Sequence, residues 1–239
     1  MGRIETVAET GSTNADLLAR LATGEHIAEG HWLVARRQIA GRGRQGRRWL
    51  DAPGNFMGST VVRLTPQDPP APTLSFVAAL AVYETVLPRL ANPAALQLKW
   101  PNDVLLGGAK FCGLLLEREG GHAVIGIGVN LGAAPSLADR ATDSLASHGP
   151  APLPATFATE LAFHFDQELA RWREFGLGPI FARWLAAAHP LGTPLTVHDP
   201  AGDTVQGTFA GLAPEGALQL RLADGSVRVI HAGDVALGS

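Results

Sequence analysis

The 239 residues contain one cysteine and only two lysines. A lone Cys112 excludes an intramolecular disulfide and a cysteine-rich zinc site, and it points to a reducing compartment, by default the cytoplasm. Eight histidines are scattered without an H-E-x-x-H pair, so no protein-bound transition metal is expected. No nucleophilic triad, heptad pattern or internal repeat stands out. No apolar run approaches the roughly 18 residues that span a bilayer, and the opening "MGRIETVAETGSTN" lacks the apolar core of a signal peptide. A soluble protein with no membrane partner is expected. "MGRIET" matches the short myristoylation pattern, but no basic cluster beside it supplies a second anchoring signal. The net charge of −3 argues against general nucleic-acid binding.

Of 19 cationic side chains only Lys99 and Lys110 are lysines. Lysine carries a compact point charge with a movable pKa, whereas arginine carries a planar fork. In a chain that otherwise uses arginine, these two mark positions where an arginine would not serve. The arginines crowd into "RRQIAGRGRQGRRW", residues 36 to 49. Gly41, Gly43 and Gly46 there spell G-x-G-x-x-G. A dinucleotide fingerprint needs a strand ending at its first glycine and a helix opening at its third. The strand-like "WLVA" at 32 to 35 stops too early, and "RRWLDAPGN" after Gly46 is turn-forming. The stretch reads instead as a cationic loop with an aromatic plate, Trp49, at its end. Composition alone leaves two readings open, an anion site and a solvated basic surface loop.

A helix should start near Ser12 or Thr13, whose hydroxyls can cap it. "GSTVVRL" at 58 to 64 reads as a strand, and a helix follows from Thr73. "LQLKW", "VLL", "KFCGLLLE" and "HAVIGIGVNL" read as strands of consecutive hairpins, broken by "PND" and paired glycines. From Pro154 to about Ala188 the pattern is helical again, with Phe157, Leu161, Phe165, Leu169 and Trp172 as core and a second helix near Pro179. The Pro/Ala-rich "AAPSLADRATDSLASHGPAPLPA" before it reads as a mobile connection or surface loop. From about Leu191 short strands alternate with "PAG", "PEG" and "ADG" turns, a small all-β module.

"GSTN" at 11 to 14, "QIAGRGRQGRRW" at 38 to 49, "KWPND" at 99 to 103 with "KFCGLLLE" at 110 to 117, and "GIGVNL" at 126 to 131 occur in an order and at separations that resemble the biotin–protein ligases. These enzymes attach biotin to carboxylase carrier proteins. The resemblance implies an α+β fold: a mixed or antiparallel sheet with flanking helices, like class II aminoacyl-tRNA synthetases, followed by an SH3-like β-barrel. It divides the chain into a catalytic domain, 1–190, and a β domain, 191–239. Repressor-type members carry an N-terminal helix-turn-helix, for which there is no room before these motifs, so a ligase without operator binding is expected.

The resemblance further implies ATP, Mg2+ and biotin as small-molecule partners and a biotin carboxyl carrier protein as acceptor. Biotin carboxylate attacks the α-phosphorus of ATP to give biotinyl-5′-AMP, and a carrier lysine then attacks the mixed anhydride. Two anions must meet in the first step, so cations are needed there. Lys99, with Arg42 and Arg44, is the expected catalytic set. Ser12, Thr13 and Gln38 match the biotin positions, and Asn14 beside them belongs to the expected binding set. Gly41 and Gly43 shape the loop, and Trp49 is expected to offer its face to adenine. Asn102, Asp103, Lys110, Gly113, Leu115 and Asn130 complete the expected binding set, with Asp103 orienting Lys99 or supporting magnesium through water.

Each has a plainer reading from the residues themselves. Ser12 and Thr13 can be helix caps, Trp49 a core residue, Lys99 a solvated strand residue and Asn130 a turn residue. Two departures from the family pattern stand out. Met57 replaces an aromatic residue, and Cys112 replaces a small apolar one and reads as either a reactive or a buried thiol. A lipoate–protein ligase or octanoyl transferase shares the architecture, and a nucleic-acid-binding module would also use a basic loop. Family members occur as monomers and as homodimers, so assembly stays open.

Overall fold

The structure is a computed structural model that describes residues 3–138, 140–198 and 202–238. Met1 and Gly2 of the myristoylation pattern, Asp139 of the Pro/Ala-rich connection, and part of the "PAG" turn lie outside the described residues. Seven strands form the main sheet: β1 (Ile4–Val7), β2 (Trp32–Ala35), β3 (Phe56–Arg63), β4 (Leu96–Lys99), β5 (Asp103–Leu106), β6 (Ala109–Glu119) and β7 (His122–Val129). Their order is β1-β2-β3-β7-β6-β5-β4. Only β1 and β2 run parallel. Their connection therefore needs a crossover, which α1 (Thr13–Ala22) supplies.

Strand periodicity divides the apolar residues between two faces. Leu33, Val61 and Val124 face α1 and cluster with Leu17 and Ile27. Their neighbours Trp32, Val34, Val62 and Ile125 face the larger cluster, built on α2 (Leu74–Val86) and α3 (Pro154–Phe175). A sheet covered on both faces explains why β2 is buried throughout and β3 at every residue but Arg63. The stretch Ala71–Arg89 is, by length and composition, apolar enough to cross a membrane, which the reading of apolar runs passed over. Here α2 is a core helix between sheet and α3, with only Ser75, Tyr83 and Glu84 of its residues not buried. Trp172 on α3 donates its indole N–H to Thr73 Oγ1 at 2.8 Å.

After α4 (Leu177–Ala187) the tail forms a second, antiparallel sheet. Its strands are β8 (Pro194–His198), β9 (Thr204–Leu212), β10 (Leu218–Arg221), β11 (Val227–Ile230) and β12 (Asp234–Leu237), in the order β11-β10-β9-β8-β12. Leu195, Val197, Phe209 and Leu220 join the same apolar cluster as α2, α3 and α4. Trp100 donates its indole N–H to the Gly216 carbonyl at 3.1 Å. The tail is thus packed onto the main sheet's helices rather than tethered to them.

The expected elements form, with shifted ends: the second helix begins at Leu177, not Pro179, and the strand read from 58 begins at Phe56. The Pro/Ala-rich connection is less free than its composition suggests. The Lys110 N–H donates to the Ala141 carbonyl and the Lys110 carbonyl accepts from the Asp143 N–H, while Leu145 donates to the Asn130 carbonyl and is buried. Backbone pairing with the start of β6 overrides the polar, proline-rich composition.

His189, between α4 and β8, is buried with Nε2 unpartnered. Burial, and secondarily the Lys99 charge, push its imidazole down to about 4 from 6.5. Between these values the unfolded chain binds more protons than the folded one, so stability is lost as pH falls from 6.5 to 4. The urea midpoint should therefore drop across this window, and the drop should be shallower in His189→Gln. An equal slope in both proteins would remove His189 as a source of acid sensitivity.

Candidate active site

Opposed glycines on β6 and β7 form the floor of a cavity of about 840 Å³. Gly113 and Gly128 are cross-strand partners, and Leu115 faces Gly126 one step along. Without side chains there, the Trp49 indole lies directly on the sheet. A Cβ at Gly128 would sit 2.4 Å from Trp49 Cε2, and one at Gly113 would sit 3.0 Å from Cζ3. Real Cβ contacts do not reach 2.4 Å, so only glycine fits at position 128. Trp49 is therefore neither a surface residue nor an ordinary core residue. Its indole nitrogen is buried without a partner.

One end of the cavity is polar and neutral. Ser12 caps α1, with Oγ accepting from the Ala15 N–H at 3.5 Å. Thr13 donates from its N–H and its hydroxyl to Gln38 Oε1, at 2.7 and 3.1 Å, and its hydroxyl lies 2.6 Å from Ser59 Oγ. With its oxygen so occupied, Gln38 keeps its amide nitrogen as a free donor. Asn14 reaches back to β6: Nδ2 donates to Glu117 Oε2 at 2.9 Å and more weakly to the Leu115 carbonyl at 3.4 Å. Its Oδ1 is buried without a partner, over Gly126, where a Cβ would stand 2.6 Å away. Behind Gln38, Asp51 Oδ2 accepts the Gln38 main-chain N–H at 3.2 Å. Burial pushes the Asp51 carboxyl up from its ordinary value.

The other end is cationic. β4 and β5 pair Lys99 with Asp103, and the two lysines of the chain meet on that one carboxylate: Lys110 Nζ at 2.7 Å from Oδ1, Lys99 Nζ at 3.8 Å from Oδ2. Burial lowers the Lys99 pKa, with Asp103 opposing. Asn102 donates to the Leu114 carbonyl at 2.7 Å and accepts from Arg44 Nη1 at 3.0 Å. Desolvation likewise lowers the Arg44 pKa.

The arginine loop folds over this end as a narrow hairpin closed by an Arg42–Arg48 bridge. Its tip is one 3-10 turn, Arg44–Gly46, with Gln45 and Gly46 both at positive φ. No helix opens at the third glycine, so the dinucleotide geometry is absent. Arg47 forms a forked pair with Asp234 of β12, at 2.7 and 2.8 Å. The β module thereby contributes to the cavity wall and holds the loop.

Of the expected residues, all but Gly41 line this cavity. Gly41 acts behind it, accepting the Trp49 N–H at 2.9 Å in a contact too close for a Cβ. Arg42 is exposed, unlike Arg44. Asn130 lines the wall, but its carboxamide is engaged, donating to the Asp143 carbonyl and accepting from Asn55. Met57 and Cys112 are buried outside the cavity wall. Burial pushes the Cys112 thiol well up, which makes it the inert rather than the reactive thiol. Sequence reasoning missed Ser59, Glu117, Asp51, Arg47 and Asp234. Ser59 left a trace, a hydroxyl at a core position of an apolar strand, and Arg47 and Glu117 lie within stretches already singled out without a role of their own.

Residues 12–132 match the model of the biotin/lipoate A/B protein ligase family, and residues 191–238 match that of the biotin protein ligase C-terminal domain. This chain belongs to the biotin/lipoate A/B protein ligase family. It is 40% identical to a biotin–[acetyl-CoA-carboxylase] ligase of Paracoccus denitrificans, over 97% of this chain and 99% of that one. It is 38% identical to the enzyme of that name from Mycobacterium tuberculosis, over 98% and 88%. Its fold is that of the Aquifex aeolicus biotin protein ligase in complex with biotin and ATP, with a TM-score of 0.85 at 23% identity over 100% and 99%. A Leishmania major biotin protein ligase with biotinyl-5-AMP superimposes with a TM-score of 0.68 at 25% identity over 96% and 99%.

Asp234→Ala should free Arg47 and speed tryptic cleavage within residues 42–48 several-fold. Because the pair is partly exposed, the melting temperature should move by no more than about 2 °C. Gly128→Val should speed the same cleavage by displacing Trp49. Cleavage at wild-type rates in both variants would show that neither contact holds the loop.

Proposed function

We propose that this chain activates biotin with ATP as biotinyl-5′-adenylate and transfers it to a lysine of a carboxylase's biotin carboxyl carrier protein. The observation that carries the reading is one cavity with two chemically different ends. The neutral end offers the Asn14 acceptor, the Gln38 donor and the hydroxyls of Ser12, Thr13 and Ser59. A cyclic urea, with two N–H donors and a polar carbonyl, needs such a set. Lipoate's dithiolane has no N–H to use it, so the biotin branch of the family is favoured. The cationic end offers Lys99 and Arg44.

In the first step a biotin carboxylate oxygen bonds to the α-phosphorus while the bond to the β-bridging oxygen breaks and pyrophosphate leaves. Both reactants are anions, so an uncancelled positive charge at their meeting point lowers the barrier. Two ammonium groups share the one Asp103 carboxylate, Lys110 at the shorter distance, so a net positive charge is left for Lys99 to present. Arg44, fixed by Asn102, closes from the loop, and Trp49 presents its outer face to the adenine. The folded loop excludes water from the mixed anhydride. In the second step a neutral carrier lysine attacks the carbonyl carbon, the anhydride C–O bond breaks, and AMP leaves as the amine loses its proton.

Asp103 is already committed to two ammonium groups, and among the described residues no group of three or more His, Cys, Asp or Glu could hold a metal. The residues present therefore do not build a magnesium site. We read magnesium as arriving on the ATP phosphates, as part of the substrate. We assign residues 1–190 to the ligase domain and 191–239 to the β domain, which lends Asp234 to the loop, and we place the enzyme in the cytoplasm, where ATP and carboxylases are available.

Purified protein should exchange labelled pyrophosphate into ATP with biotin and not with lipoate. Exchange with lipoate alone would move it to the other branch of the family, and exchange with neither would end the adenylation reading. Lys99→Ala should slow biotin-dependent exchange by about 100-fold or more while its biotin Kd stays within about threefold. Normal exchange in that variant would remove Lys99 from the chemistry.

A further inference from the structure

We infer that Glu117 is a positioning residue that locks the Asn14 carboxamide in one of its two flip states, with the oxygen turned to the ligand. The inference rests on the biotin reading above and goes one step behind it. An asparagine amide is nearly symmetric in shape, so its neighbours decide which end is donor and which acceptor. Asn14 is almost fully buried in the first turn of α1. On one side its Nδ2 meets two acceptors, Glu117 Oε2 at 2.9 Å and the Leu115 carbonyl at 3.4 Å. A flip would press Oδ1 against both, acceptor against acceptor. The short, charge-assisted contact is the one to Glu117, so Glu117 dominates the choice.

The result is visible on the other side. Asn14 Oδ1 is buried over Gly126 and no protein group donates to it. A buried acceptor is costly without a donor, and a ligand N–H can supply one where no protein group does. Glu117 does not line the cavity, so it acts through Asn14 rather than on the ligand. The chemical feature selected is a ring N–H of a cyclic urea at the Asn14 position.

The test uses the full chain and calorimetric Kd values for biotin and for the two cyclic carbamates in which one or the other ring N–H is replaced by oxygen. In the wild type, biotin should bind about tenfold or more tighter than at least one carbamate, because a ring oxygen would face Oδ1. In Glu117→Gln the new carboxamide can turn to accept from or donate to Asn14, so both flip states are tolerated. The preference should shrink to about threefold or less. Glu117→Ala should shrink it too, and if that variant does not fold the glutamine variant decides alone.

An unchanged preference overturns the inference, including the case where both ligands weaken equally, which is the signature of a merely structural glutamate. A wild type that binds biotin without preferring it to either carbamate also overturns it, while leaving the biotin reading intact. A wild type that does not bind biotin removes that reading and this inference with it.

Discussion

The cationic end of the cavity depends on Asp103, the carboxylate that both lysines of the chain share. It ties the β4–β5 turn to the start of β6, so the hairpin carrying Lys99 and the strand carrying Gly113 are fixed relative to each other. An arginine would not replace either lysine. A planar fork seeks two acceptor atoms in one plane, whereas two ammonium groups can approach one carboxylate from different sides. The arrangement also sets the charge. Two cations on one anion leave the end net positive, and burial sharpens the effect because there is little water to screen it. Scarcity of lysine in the sequence was thus a readable signal: the two that remain stand at one point in space.

The loop and the tail are coupled to that end by different means. Arg44 reaches Asn102, next in sequence to Asp103, so the loop docks on the same turn. Arg47 reaches Asp234, on the last strand of the β module. The module is itself held against the core through Gly216 and the apolar residues of β8, β9 and β10. Two adjoining regions therefore meet in one loop whose own composition, rich in glycine and arginine, favours no fixed shape. Its own main-chain bonds make the hairpin, and the partners outside it set where the hairpin lies.

Local signals were legible in the sequence and distant ones were not. Helical and strand periodicity exposed the core of α3, the consecutive hairpins and the small β module, because each depends on neighbours a few residues away. The expected site residues of the motif stretches, Gly41 apart, line one cavity. What escaped was pairing across the fold. Asp234 lies 187 residues from Arg47 and Glu117 lies 103 from Asn14, and nothing in either local sequence announces the partner. Orientation escaped as well. Trp49 was legible as an aromatic plate but not as one lying on glycines, and Asn130 was legible as a site residue but not as one whose carboxamide is already engaged. The Pro/Ala-rich connection misled for a related reason, since its composition carries no trace of the main-chain bonds that pin it to β6.

Among the described residues that line the cavity, two polar atoms are buried without a protein partner, Asn14 Oδ1 and Trp49 Nε1. Each such group costs about 1–3 kcal/mol when nothing satisfies it. Domains of this kind are stable by only about 5–15 kcal/mol, so a donor or acceptor that satisfies these atoms acts on the scale of the fold's own stability. Hydrogen bonds among Thr13, Gln38 and Ser59, and from Asn14 to Glu117, frame the neutral end beside the glycine floor. A softer frame would let Asn14 flip or Trp49 turn to find partners within the protein, and the site would then be satisfied without a ligand. The same tight packing that leaves Gly128 no room for a Cβ keeps Trp49 Nε1 from finding one. The unpartnered atoms and the glycine floor are thus two consequences of one constraint, the close approach of α1 and Trp49 to a stripe of strand glycines.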